Sequence, residues 1–200
     1  MCTGLDAGRS ASFLREGSIV KLRTPCAATI DRCARVAVSK RAVRRAFNEL
    51  GNDPSNREVV REIAWLDEST VAAIVHRTLE SGTDRRPQDF VVVFRRGRFL
   101  GPLRFATGQL SGLTADRASR RLFVSGDVVQ GVFVLDARGR FVDTRTVPGV
   151  PEVRSAAASP DGDWIAAAGR DSLVIFRPGT ASARAVQLPF DAQALAWLGF

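Results

Sequence analysis

A segment of about forty residues recurs along the last two thirds of this chain, and a recurrence of that length limits the fold more than any single residue does. When each copy is aligned on the residue before its first turn, Trp65, Ala115, Ala158 and Trp197 become equivalent, at spacings of 50, 43 and 39. The first copy reads Glu62 to Leu66, a turn at Asp67 to Thr70, Val71 to Val75, then Phe90 to Phe94, a basic turn Arg95-Arg96-Gly97, and Arg98 to Leu100. A polar loop over 79–88 accounts for its extra length. The second copy runs through Leu113 to Ala115, Leu122 to Val124, Val132 to Leu135 and Arg140 to Val142. The third has Ala156 to Ala158, Trp164 to Ala166, Leu173 to Phe176 and Ala185 to Leu188, and a fourth opens at Ala194 to Leu198.

Four short strands per period of this length are what a β-propeller blade requires. The middle strands, Val91 to Phe94 and Val132 to Leu135, are apolar at consecutive positions. Strict alternation would mark one wet face, whereas such runs mark strands covered on both faces, as in a blade between two neighbours. The first strands are lean, with Ala64, Ala115 and Ala156 to Ala158, as a crowded central axis demands. Ser159-Pro160-Asp161-Gly162 is a tight turn preset by Pro and Gly, and Trp164 after it reads as core. The small apolar strand, this turn and the apolar strand that follows together resemble bacterial propellers of the TolB and YVTN kind and, more distantly, WD40 proteins. The resemblance covers residues 62–200. It implies a binding scaffold and names no activity.

The expected fold is therefore all-β, a propeller of about four four-stranded antiparallel blades, closed or a part of a larger ring, with one basic helix inserted near 40–50. Residues 1–10 read as a flexible N-terminus. Residues 11–61 read as a partial blade: a hairpin of Ser12 to Arg15 and Ser18 to Leu22, a third strand at Val36 to Val38, then a helix. Ser39 is its N-cap, and Val43, Ala46, Phe47 and Leu50 share one face while Arg41, Arg44 and Arg45 decorate the other. The repeats occupy 62–108, 109–148 and 149–190, with a closing strand at 192–200 expected to lie beside Ser12 to Arg15, all within one structural domain.

The net charge of +8 invites a nucleic-acid reading. Of the 29 basic residues only Lys21 and Lys40 are lysine, a bias that matches a GC-rich genome as well as it matches a ligand. The excess is also local: residues 1–61 hold 12 basic and 6 acidic side chains, and residues 62–200 hold 17 and 15. No apolar run approaches the roughly 18 residues that span a bilayer, and no signal-peptide core interrupts the first thirty residues. A cytoplasmic protein, or one of the bacterial cell envelope whose leader lies upstream of Met1, both fit.

Candidate sites are sparse. Lys40, Arg41, Arg44 and Arg45 cluster on about one and a half helical turns and can grip phosphates or simply face solvent. Arg85 and Arg86 lie in the long loop, where rigid scaffolds often carry function. Cys26 and Cys33 form a disulfide candidate in an oxidising compartment. The single histidine, His76, ends an apolar strand with no nucleophile motif near it, so no catalytic residue is assigned. Asp161, Asp163 and Asp171 lack the spacing of a calcium loop, and no phosphate-binding glycine loop is present, so neither metal nor cofactor is expected. The readings that follow are a non-catalytic module binding a protein, peptide or cell-envelope component, a hydrolase of the propeller lactonase type, or nucleic-acid binding through 1–61.

Overall fold

The structure is a computed structural model that describes residues 2–6, 10–15, 18–22, 34–47, 57–81, 84–101, 109–117, 119–126, 131–147, 150, 153–159, 163–177, 183–190 and 195. Its strands make four antiparallel sheets of four, each in simple meander order. The first blade holds β1 (Cys2–Asp6), β2 (Ser10–Arg15), β3 (Ser18–Leu22) and β4 (Ala34–Val38). The second holds β5 (Arg57–Trp65), β6 (Thr70–Ser81), β7 (Asp84–Arg95) and β8 (Arg98–Phe99). The third holds β9 (Leu110–Asp116), β10 (Arg121–Gly126), β11 (Gly131–Leu135) and β12 (Phe141–Thr146). The fourth holds β13 (Ser155–Ala158), β14 (Ile165–Ala168), β15 (Ser172–Phe176) and β16 (Ala183–Gln187). Successive first strands touch, β1 on β5, β5 on β9 and β9 on β13. That is the arrangement of propeller blades.

The consecutive apolar runs are explained by where alternate residues go. Val71, Ala73 and Val75 of β6, with Phe90, Val92 and Phe94 of β7, pack toward the first blade. Their neighbours Ala72, Ile74, Val91 and Val93 pack toward the third blade with Leu110, Leu113, Leu122 and Val124. A third core joins Phe123, Val132 and Val134 to Ala156, Ile165, Ala167 and Val174 of the fourth blade. Each middle strand of the second and third blades therefore serves two cores. Near the axis, small residues let strands approach: a Cβ on Gly112 of β9 would sit 2.5 Å from Ser125 Oγ and 3.4 Å from the Ser155 Cα of β13.

The helix α1 spans Lys40–Ala46, with Ser39 Oγ accepting the Ala42 N–H at 3.2 Å as its N-cap. It docks on the core between the first two blades through Val43, Ala46 and Phe47, and the Phe47 ring meets Phe90 edge to face at 5.3 Å. Its last residue is Ala46; Leu50 lies outside the described residues.

Several expectations are corrected. Residues 2–6 pair with β2 as an inner strand instead of forming a flexible end. β1 thus occupies the place beside β2 that the closing strand was expected to fill. Of 192–200 only Leu195 is described, and its N–H donates to Ser155 Oγ on β13 at 3.1 Å. In the expected loop at 79–88 the described residues 79–81 and 84–88 are paired strand: Leu79 stands opposite Arg86 and Glu80 opposite Arg85. Pro87 is compatible with this pairing: β8 is only two residues long, so among the described residues the outer edge of β7 has no ladder at Pro87 for a missing N–H to interrupt. Trp164 precedes β14 and is 38% exposed, with the Arg177 guanidinium 5.2 Å from its ring. It sits at the mouth of the turn, where Ser159 N–H bonds the Trp164 carbonyl at 2.8 Å. No helix among the described residues is long and apolar enough to cross a membrane.

Candidate functional site

The parity of β5 is the starting point. Val60 and Ile63 both enter the core facing the first blade, although residues three apart in a regular strand point to opposite sides. A bulge between Val60 and Glu62 resolves the conflict and makes Arg61 the extra residue. Arg61 and Glu62 are both released from that core. On β6 and β7 the neighbours of Val75 and Phe90 are His76 and Asp89, which stand opposite each other in the ladder and face the third blade.

Asp89 organises the group. It is only 1% exposed, and an isolated buried carboxylate is costly. Its Oδ1 lies 2.7 Å from His76 Nδ1, and its Oδ2 accepts the Leu110 N–H of β9 at 2.7 Å. The Arg61 guanidinium approaches Oδ2 at 3.5 Å. An ionised carboxylate only accepts, so in this contact the imidazole donates from Nδ1, and Nε2 is the nitrogen not engaged by Asp89. The His76 side chain is 25% exposed and that of Arg61 48%. Glu62 accepts the Leu113 N–H, and burial pushes its carboxyl up to about 7, an effect that this bond and the Arg61 charge only partly oppose. On the opposite face of the same sheet, buried Arg77 lies 3.7 Å from Glu58 and 5.5 Å from the Phe47 ring.

The result is a polar rim at the junction of the second and third blades: one half-exposed cation, one imidazole with a free nitrogen, and one carboxyl poised near neutrality. It can bind carboxylate or hydrogen-bonding groups and can exchange a proton. Among the described residues no three His, Cys, Asp or Glu side chains converge as a metal site.

His76 joins this rim, whereas the other sequence candidates lie elsewhere. Lys40, Arg41, Arg44 and Arg45 are all exposed on α1. Arg85 and Arg86 lie on β7 nearer the hairpin tip, and their side chains, like Cys26 and Cys33, are outside the described residues. Sequence reasoning missed Arg61, Glu62 and Asp89. The available signal was the clash of parity between Val60 and Ile63, together with an acid directly abutting the apolar run of β7.

No family model and no curated protein matches the sequence. Solved structures do. A gluconolactonase from Xanthomonas campestris is similar at a TM-score of 0.56 and 13% identity, over 92% of this chain and 60% of that one. KlAtg21, in its complex with the coiled coil of AgAtg16, gives 0.54 and 11%, over 94% and 56%. A chain of the mitotic checkpoint complex gives 0.51 and 14%, over 94% and 63%. The chain thus spans between 56% and 63% of the length of these neighbours. At such identities the likeness establishes the fold, a β-propeller, and that fold serves both an enzyme and proteins of multi-chain complexes.

Proposed function

We propose that this propeller is a non-catalytic interaction module that binds a protein or peptide, with the Arg61 and His76 rim as part of its contact surface. The observation that carries this reading is the half-exposed Arg61 guanidinium presented beside buried Asp89. A reacting carboxylate keeps an oxygen open toward substrate, whereas here both oxygens hold protein donors. Asp89 therefore acts to position other groups. What it positions is a half-exposed guanidinium, suited to an acidic side chain, beside an imidazole whose Nε2 is not engaged by Asp89. The likeness of the Ser159 turn to TolB and YVTN propellers supports the same class of role, with a cell-envelope component as one such partner.

The test is peptide display against the immobilised full chain, followed by calorimetry. Enriched sequences should carry Asp or Glu, and both Arg61→Ala and Asp89→Asn should weaken them roughly tenfold or more. Binders indifferent to both substitutions would remove the reading.

A lactonase-type hydrolase is the second reading, favoured by Glu62 near 7 beside the Asp89-supported His76. Hydrolysis of a lactone panel, with and without added divalent cations, decides it. Turnover that disappears in both Glu62→Gln and His76→Ala would make the enzyme the better account.

A further inference from the structure

The basic helix does not stand alone. α1 packs against β8, and the β7–β8 turn reaches the first blade: a Cβ on Gly97 would lie 2.9 Å from the Ala37 carbonyl of β4. Arg96 and Gly97 both have positive φ, 50° and 74°, as a two-residue hairpin turn of this hand requires. The Arg96 N–H is tied to the Ser69 carbonyl at 2.7 Å. Arg95, Arg96 and Arg98 are thus carried on a rigid turn to the outer edge where α1 displays its own four cations.

All seven of these side chains are exposed, and six are arginine. The segments that bear them, 34–47 and 90–101, contain no Asp or Glu. Among the described residues none of the seven makes an ion pair; in the adjoining turn Asp67 pairs with Arg120, the Glu68 side chain is exposed, and Glu58 beneath the helix is held near buried Arg77. A genome-wide arginine bias does not produce this. Arg95, Arg96 and Arg98 come from residues 62–200, which carry nearly as many acids as bases, so their place beside the basic helix is a matter of tertiary packing.

We infer that this edge is a docking surface for the phosphodiester backbone of a nucleic-acid duplex. Guanidinium forks match phosphate oxygens in geometry as well as in charge. Among the described residues the aromatic anchors that dominate protein interfaces are missing here: Phe99 is partly buried against Phe94 at 6.0 Å, and the exposed large apolar residues are Val36 and Leu100. The lack of a stacking ring also disfavours single strands, whose bases need one. Contacts confined to phosphates bind without regard to sequence. The surface is separate from the Arg61 and His76 rim, so either reading can fail alone.

The experiment is fluorescence anisotropy of the full chain with a labelled DNA duplex and an RNA duplex of the same sequence, both of about 20 bp, across about 50–200 mM salt. Binding should weaken about 10²–10³-fold over that range, as four to six neutralised phosphates imply. Arg44→Ala combined with Arg96→Ala should lower the salt slope by about two, one from each blade. Arg44→Lys with Arg96→Lys should keep most of the slope, which a merely structural role would not predict. Asp89→Asn and the third-blade pair Arg138→Ala with Arg140→Ala should leave binding unchanged. The inference is overturned if the two alanine pairs weaken binding equally, if the Arg44 and Arg96 changes leave the slope intact, or if phosphatidylserine vesicles bind more tightly than either duplex.

Discussion

The second and fourth blades share one topology and differ in almost everything that gives a sheet rigidity. β5, β6 and β7 have 9, 12 and 12 residues, and their Val, Ile and Phe side chains fill two cores. β13 to β16 have 4, 4, 5 and 5 residues, with alanine opposite alanine at 156 and 167 and at 157 and 166, and every residue of β16 is exposed. Large side chains between two neighbours give the second blade far more buried apolar area. The same blade can therefore tolerate a bulge and a buried acid. The fourth blade is built for close approach near the axis instead, and its outer strand is held mainly by its ladder to β15. Local stability should follow this contrast, with β6 and β7 amides the most protected from hydrogen exchange and β16 amides the least.

The largest effect that would test the contrast is Phe94→Ala. Phe94 is fully buried in the core between the first and second blades, and its loss should cost about 3–5 kcal/mol by urea denaturation. A cost no greater than that of a fourth-blade surface change would break the comparison outright.

Next comes Glu62, whose carboxyl is raised from 4.5 to about 7. The folded state holds this proton more tightly than the unfolded chain, so the group's contribution is fully present below the unfolded value. It is lost as pH rises from about 4.5 through about 7, by at most about 3 kcal/mol. Urea midpoints of the wild type should therefore fall relative to those of Glu62→Gln between pH 5 and pH 8. Parallel pH profiles for the two proteins would show that burial of Glu62 carries no such penalty.

Gly97→Ala should cost about 1–2 kcal/mol, because the turn needs a positive φ and the new methyl meets a backbone carbonyl that cannot swing aside. An unchanged thermal midpoint would mean that the turn does not bear on the first blade. The smallest effect belongs to the fourth blade. Trp164→Ala should cost about 1 kcal/mol or less, since the ring is 38% exposed and its neighbour Arg177 is a surface residue. A loss as large as that of Phe94→Ala would erase the distinction between the two blades.

Much of the architecture was legible in the chain itself. Period, turn residues and apolar runs are local properties, and they located the middle strands of every repeat, the β2–β3 hairpin and the Ser39 cap within a few residues. Strand pairing without apolar content was not legible. β1 and the far ends of β6 and β7 are polar or mixed, and a backbone ladder needs no particular side chain, so they read as flexible end and loop. Trp164 was misread because size suggests burial, while its position at a hairpin mouth leaves it outside the core.

The sequence alone determined that this chain folds as successive four-stranded units, because consecutive residues of a middle strand are apolar where two neighbouring blades must be satisfied. Tertiary structure alone decided which distant groups meet. A single bulge turned Arg61 and Glu62 away from one core and toward the third blade, and a core position one residue from Val75 became the imidazole on Asp89. The packing of a helix from the first blade against a turn of the second joined Lys40 to Arg45 with Arg95 to Arg98. Neither juxtaposition follows from periodicity, since both depend on contacts between blades, where side-chain parity and strand approach are settled by packing across the interface.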